Sequence, residues 1–246
     1  MVRHITTLII ALFTLVSLQS NATELTDVTL DFRIFGTGPD DFKGLFFFNG
    51  KTYEELSFNR TSRSTTTYHY QGKPILDLYL QNPNFTAEQL GEPQYIQAGS
   101  TNIPDNVSTS IVIIAAELQN RNVARAQRRY QAFVMNDAKE TFGVNAVCIL
   151  NTTRVQLYGK VGEHTLSLAS GESQQFDYTR YSGTEKGIPI LFAFKTKNGP
   201  RLVMSNNIRL AKNRRVILIL QPPRHPNSTR IETRTLSEAI YPKKPE

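Results

Sequence analysis

The chain has 246 residues, of which 20% are charged and 39% hydrophobic, a balance that excludes an extended disordered polymer and suits one large or two ordinary domains. A single cysteine, Cys148, excludes an internal disulfide, and its place in the apolar run Val144 to Leu150 marks it as a buried small hydrophobe. The formal net charge is +7, but no recognition motif accompanies it, so nucleic acid is not an expected partner.

The N-terminus has the three zones of an export signal. Arg3 supplies a short positive region, Ile5 to Val16 an apolar one, and Ser20-Asn21-Ala22 a small-x-small site, which places cleavage after Ala22. The apolar run is about 12 residues, short of the roughly 20 needed to span a bilayer. Residues 1–22 therefore read as a signal peptide, and the mature chain as an exported protein, periplasmic or extracellular, with no transmembrane segment. Arg3 is the only Lys, Arg, Asp or Glu lost with the signal, so the product stays basic.

Strand signals then follow one another. Val28, Leu30, Phe32 and Ile34 alternate with polar residues, as in a half-buried strand. Leu45 to Phe48 is apolar and meets Asn49-Gly50, a dipeptide suited to a tight hairpin, before Lys51 to Phe58. Ser64 to Tyr70 is strand-prone, and Ile75 to Gln81 alternates again. Asn82 to Asn106 is polar and lacks a clear period. Ile111 to Ala116 is apolar throughout and predicts a strand buried on both faces. The polar, basic stretch 121–129 reads as a linker between a first domain (23–120) and a second (130–222).

The second half repeats this style. Strands are expected at Tyr130 to Met135, Val144 to Leu150, Arg154 to Tyr158, His164 to Leu168, Gln174 to Tyr178, Ile188 to Thr196, Arg201 to Ser205 and Arg215 to Leu220. Lys197-Asn198-Gly199-Pro200 marks a hairpin turn. A last strand and a Pro-rich tail occupy 223–246. Short strands at this spacing, without an amphipathic helix, predict an all-β protein of two antiparallel β-sandwich, immunoglobulin-like domains in tandem. The halves also echo one another: Phe47-Phe48-Asn49 parallels Ile149-Leu150-Asn151, and Tyr70 to Leu76 parallels Tyr181 to Leu191. Internal duplication and chance likeness among similar strands both account for this.

Phe133-Val134-Met135-Asn136-Asp137, Val147-Cys148-Ile149-Leu150-Asn151, Val155 to Lys160 and Leu168 to Glu172, with Gly44 to Gly50 and Tyr70 to Tyr79 in the first half, resemble uncharacterised exported two-domain β-sandwich proteins of environmental bacteria. They are similar, more distantly, to immunoglobulin-like sandwiches of bacterial surface proteins. The resemblance implies the fold and the compartment and transfers no functional residue.

No histidine pair has metal-ligand spacing, and no nucleophile elbow, zinc-protease or EF-hand motif occurs. No catalytic, cofactor or metal site is therefore expected. Asp31 and Asp77 offer the least implausible carboxylate pair, with solvated outward positions as the ordinary alternative. Tyr53, Tyr68, Tyr70 and Tyr79 cluster in the first half, where Tyr68, Tyr70 and Tyr79 above all could stack a sugar if exposed, or could pack at sandwich edges. Arg121, Arg125, Arg128 and Arg129, with Lys212, Arg214 and Arg215, could form an anion-attracting surface. Five sequons occur beyond residue 22, at Asn59, Asn84, Asn106, Asn151 and Asn227. The expected function is that of a non-enzymatic interaction or scaffold protein, bound to another exported protein or an anionic envelope polymer. A carbohydrate-binding module is the alternative, and a hydrolase with an unrecognised site the third.

Overall fold

The computed structural model describes residues 26–38, 42–59, 61–86, 93–117, 120, 122–223, 225 and 228–240. The expected signal peptide and Arg121 lie outside the described residues. In chain order the first eight strands are β1 (Val28–Thr37), β2 (Leu45–Phe48), β3 (Tyr53–Glu55), β4 (Tyr68–Gly72), β5 (Ile75–Gln81), β6 (Tyr95–Asn102), β7 (Thr109–Ala116) and β8 (Tyr130–Asn136). The next eight are β9 (Ala146–Asn151), β10 (Leu157–Val161), β11 (His164–Leu168), β12 (Ser173–Asp177), β13 (Ile188–Thr196), β14 (Gly199–Ile208), β15 (Arg214–Gln221) and β16 (Glu232–Ala239).

These strands form four sheets, ordered β4-β1-β7-β8, β3-β2-β5-β6, β12-β9-β15-β16 and β11-β10-β13-β14. Adding eight to each strand number of the first pair of sheets gives the second pair, so the two sandwiches have the same topology. The repeat extends to irregularities: register shifts fall in β5–β6 at Leu78/Tyr79 and in β13–β14 at Phe192/Ala193. Of the two sequence echoes, Tyr70 to Leu76 and Tyr181 to Leu191 fall on equivalent connections, β4 to β5 and β12 to β13. The other does not, because β2 carries Phe47 whereas β9 carries Ile149.

Two of the sheets are mixed rather than purely antiparallel. β1 pairs with β7 in parallel, and β9 with β15 likewise. Parallel neighbours need a long crossover. Here the chain makes it by passing through the opposite sheet between the two strands.

The division between sandwiches lies later than the basic stretch suggests. β8 pairs with β7 from Ser110↔Asn136 to Ala116↔Tyr130, so it completes the first sandwich, and 121–129 is a connection inside it. Asn120 pins that connection: its Nδ2 donates to Arg129 O at 2.7 Å, and its Oδ1 accepts from Arg129 N–H at 2.9 Å. Likewise β16 belongs to the second sandwich, paired with β15 from Arg214↔Ala239 to Gln221↔Glu232. The Asn49-Gly50 turn is a four-residue loop, Asn49 to Thr52, in which Asn49 Oδ1 accepts the Lys51 and Thr52 N–H groups, both at 2.9 Å. Gly50 is required there, with φ of +101° and a position where a Cβ would lie 2.1 Å from Gln71 O.

Three apolar layers separate the four sheets. Leu30, Phe32, Phe47, Leu78 and Val112 fill the first sandwich, and Val147, Leu157, Ile190, Phe192 and Leu218 the second. The third layer joins the sandwiches: Phe35, Ile111 and Ile113 of the first meet Cys148, Leu150, Ile217 and Ile219 of the second. This explains the wholly apolar runs. β7, β9 and β15 have cores on both faces, so both parities are apolar along their middles, and polar side chains such as Ser110 and Arg215 come only near their ends.

A ring of opposite charges closes one end of this shared layer. Asp137 Oδ1 lies 2.6 Å from Arg215 Nη2, and Glu238 Oε2 lies 3.0 Å from Arg215 Nε. Arg63 completes the circuit, pairing with Asp137 and, at 2.5 Å through Nε, with Glu238. Arg215 is 2% exposed and also donates to Phe142 O at 2.8 Å. Such a pair is costly to desolvate, and each charge is offset only while its partners stay in place.

Candidate functional site

The outward face of β3-β2-β5-β6 carries a patch of aromatic rings. Period-two alternation sends Leu45, Phe47, Leu76, Leu78 and Leu80 into the core, and leaves Phe46, Phe48, Asp77 and Tyr79 on the other face. Tyr53, across from Phe48, and Tyr95 at the start of β6 complete the patch. Tyr53 and Tyr95 are stacked with centroids 3.9 Å apart and planes 17° apart. Phe46, Phe48 and Tyr79 surround them at 5.0–5.2 Å in edge or tilted contacts, the offset geometries that ring quadrupoles favour. Tyr53 and Phe48 remain 39% and 38% exposed.

Polar groups lie within this patch. Asp77 accepts from Gln97 Nε2 at 2.8 Å and from Tyr79 Oη at 3.4 Å. Partial burial, reinforced by the neighbouring Asp77 charge, pushes the Tyr79 phenol up to about 12. It is therefore a neutral O–H group at ordinary pH. Glu55 Oε1, at the margin, accepts the Gly44 N–H at 2.9 Å.

Of the four tyrosines singled out in the sequence, Tyr53 and Tyr79 belong to this face. Tyr68 and Tyr70 are buried in the first core. Tyr68 Oη accepts the Ser57 N–H at 2.7 Å, and Tyr70 Oη lies 2.7 and 2.8 Å from the carbonyl oxygens of Lys73 and Ile75. They are core residues with tethered hydroxyls, and their rings cannot meet a ligand. Phe46, Phe48 and Tyr95 were not singled out by the sequence reading. The alternation of Leu45 to Phe48 held the signal, since a four-residue apolar strand in a two-layer sandwich must expose two of its side chains.

The basic residues do not gather. Arg125 and Arg129 are exposed and Arg128 half-buried on the β7–β8 connection. Arg214 and Arg215 lie toward the other end of β7, where Asp137, the Arg215 partner, donates its N–H to Thr109 O at 3.1 Å. An eight-residue strand separates the groups by about 25 Å. Arg215 is buried in its carboxylate ring, and Arg214 Nη1 donates to Ser237 Oγ at 3.1 Å, so of the second group only Lys212 projects freely. Asp31 and Asp77 belong to different sheets, and Asp31 pairs with His69 Nδ1 at 2.7 Å. They do not face each other across a cleft.

A cavity of about 710 Å³ opens between the sandwiches where β7 and β15 end, lined by Ala116, Gln131, Val155, Phe194, Pro222 and Arg234 among others. Its hydroxyls are largely committed: Thr152 Oγ1 donates to Leu220 O at 2.8 Å, and Thr153 Oγ1 lies 2.6 Å from Asn151 Oδ1. Asn151 is itself a buried corner, its Nδ2 reaching the carbonyls of Val155, Leu168 and Ala169 at 2.9–3.0 Å. That sequon is closed to glycosylation in the folded chain. Cys148, in the shared layer, has its thiol pushed up to about 12 by burial.

Among the described residues no cluster of three or more His, Cys, Asp or Glu could hold a metal ion, and no helix is long and apolar enough to cross a membrane. Compared with known proteins, the chain matches no protein family and no curated protein.

Proposed function

We propose that this protein is an exported, non-enzymatic binding module that holds polysaccharide on the aromatic face of its first sandwich. The observation that carries the reading is the Tyr53–Tyr95 stack with its flanking Phe46, Phe48 and Tyr79 on a face open to solvent. Pyranose rings present apolar C–H faces that lie flat on aromatic rings, while their hydroxyls donate to and accept from a few polar groups. Asp77, Gln97 and the neutral Tyr79 hydroxyl are those groups. The β5–β6 hairpin, residues 75–102, holds Asp77, Glu88 and Glu92 and no Lys or Arg, which favours a neutral glycan over an anionic one. The apolar layer between the sandwiches supports a rigid platform, and a pre-formed face loses little entropy on binding.

The test is depletion of the purified chain, residues 23–246, from solution by insoluble neutral polysaccharides. Tyr53→Ala together with Tyr95→Ala is expected to weaken retention by about 30-fold, the equivalent of about 2 kcal/mol for a buried aromatic anchor. Tyr68→Phe is expected to leave it unchanged. Equal retention of the double variant and the parent sinks the reading.

An exported protein partner is the second reading, because the same flat apolar face suits a protein surface. Retention that soluble oligosaccharide cannot compete away would favour it. Export rests on Arg3, the apolar run 5–16 and Ser20-Asn21-Ala22. N-terminal sequencing of the secreted product is expected to begin at Thr23.

A further inference from the structure

The outward face of the second sandwich has a different chemistry. The β13–β14 hairpin, residues 188–208, carries Lys195, Lys197 and Arg201 and no Asp or Glu. On it Leu202 is 61% exposed and Leu191 43%, the two most exposed large hydrophobic residues on β13 and β14. Leu202 lies opposite Ala193, which pairs on its other side with Tyr158, while Leu191 lies between Ser205 and Lys160. Leu191 and Leu202 are thus diagonal neighbours on one face, about 7–8 Å apart. Lys160 stands beside Leu191, Lys195 caps the Tyr158 ring with Nζ 4.8 Å from its centroid, and Lys197 forms the turn next to Gly199. Lys197 has no ion-pair partner among the described residues, whereas Arg201, paired with the inward Phe194, lies on the other side of β14 from Leu202.

We infer that this hairpin face docks on an anionic lipid surface, with Leu191 and Leu202 entering the headgroup boundary and Lys160, Lys195 and Lys197 meeting lipid phosphates. A free polyanion would use the cations and leave the leucines without a role. A lipid interface takes both, because it presents negative charge over an apolar layer. A second copy of the chain would have to offer its own acidic aromatic face. Only two carboxylates of the described residues of β2, β3, β5 and β6 lie on that face, Asp77 and Glu55, and both also accept hydrogen bonds within the fold, against three cations here. Two leucines and a few cations give weak, reversible attachment, as one hydrophobic signal plus a basic patch does. The inference does not depend on the polysaccharide reading, because the two surfaces lie on opposite outer sheets.

The experiment is co-sedimentation of the folded chain, residues 23–246, with vesicles of phosphatidylglycerol and phosphatidylcholine, and with pure phosphatidylcholine. Binding is expected to the anionic vesicles only and to fall with salt. Each of these cations changed to Gln is expected to weaken it about 5-fold, and Lys160→Gln, Lys195→Gln and Lys197→Gln together about 100-fold. Leu191→Ser with Leu202→Ser is expected to weaken it while leaving binding to soluble polyphosphate unchanged. Circular dichroism is the check that each variant is folded, and Tyr53→Ala is expected to bind vesicles like the parent, which separates this surface from the aromatic one. The proposal is overturned by no co-sedimentation, by leucine variants that bind as the parent does, or by polyphosphate competing fully while the leucines make no difference. Concentration-dependent dimers lost on Leu202→Ser, in place of vesicle binding, would assign the face to a second copy.

Discussion

The hairpins β5–β6 and β13–β14 occupy the same place in two sandwiches of one topology, yet they present opposite surfaces. Residues 75–102 have three carboxylates and no cation in sequence, and their sheet carries a cluster of tyrosine and phenylalanine rings; residues 188–208 have three cations and no carboxylate, and expose leucines. Each hairpin has a register shift at an equivalent place. Their inward residues are alike, Leu76 and Leu78 in one and Ile190 and Phe192 in the other. Packing constrains the inner parity of a strand, because a polar group there would lose its water without a partner. The outer parity is free, and there the two halves differ. A repeated fold of this kind gives one molecule two unrelated surfaces at a fixed separation.

The fixed separation depends on the shared layer, so the severest way to break the comparison is at its ring of charges. Arg215→Ala leaves Asp137 and Glu238 buried with Arg63 as their remaining partner in the ring. The expected cost is about 3–5 kcal/mol, measured by urea denaturation. The parent is expected to unfold in one transition. Two separated transitions in the variant would show that each sandwich is stable alone and that the layer, not either core, couples them.

A smaller effect is expected from Cys148→Ser in the same layer. A serine hydroxyl among Ile111, Ile217 and their neighbours costs about 1–3 kcal/mol if it gains no full partner. The parent thiol, pushed up to about 12, is expected to resist a disulfide reagent until the chain unfolds. Fast labelling under native conditions would mean that the sandwiches separate readily.

How much of this was legible in the sequence follows from which faces carried a pattern. Leu30, Phe32 and Ile34 alternate with polar residues and announce a half-buried strand, and Ile111 to Ala116 announces a doubly buried one. The all-β class and the two sandwiches follow from such runs. Which doubly buried strands share a layer is not local information, so the joining of β7 to β9 and β15 was invisible. The basic stretch at 121–129 resembles a linker because its charges are solvated, but β8 is held to β7 by hydrogen bonds that composition does not reveal. For the candidate site, Tyr68 and Tyr70 mislead because tyrosine serves cores and surfaces equally well. What distinguishes them is a tethered hydroxyl, visible only in the fold.

Tyr68→Phe separates the two kinds of tyrosine at about 1 kcal/mol, the worth of one hydrogen bond, because the Ser57 N–H loses its acceptor. Tyr53→Phe, on the exposed patch, is expected to stay within about 0.5 kcal/mol of the parent.

At neutral pH the smallest effect is that of the raised phenols, which becomes visible only in alkali. Tyr79 on the first sandwich and Tyr178 in the second are each pushed up to about 12, chiefly by burial, from an ordinary value of 10.0. Folding therefore favours their neutral forms. The stabilisation is fully present below pH 10, where both states hold the proton, and is lost as pH rises toward 12, because the unfolded chain releases its protons first. Stability followed by urea denaturation is expected to be flat with respect to these groups up to about pH 9 and to fall beyond it. Tyr79→Phe removes the contribution of the aromatic face and leaves that of Tyr178. A variant with a shallower alkaline slope than the parent confirms that the Tyr79 ring is held against its neighbours and Asp77 in solution. An unchanged slope would mean that the ring is free in water, and the platform would then lack one of its five rings.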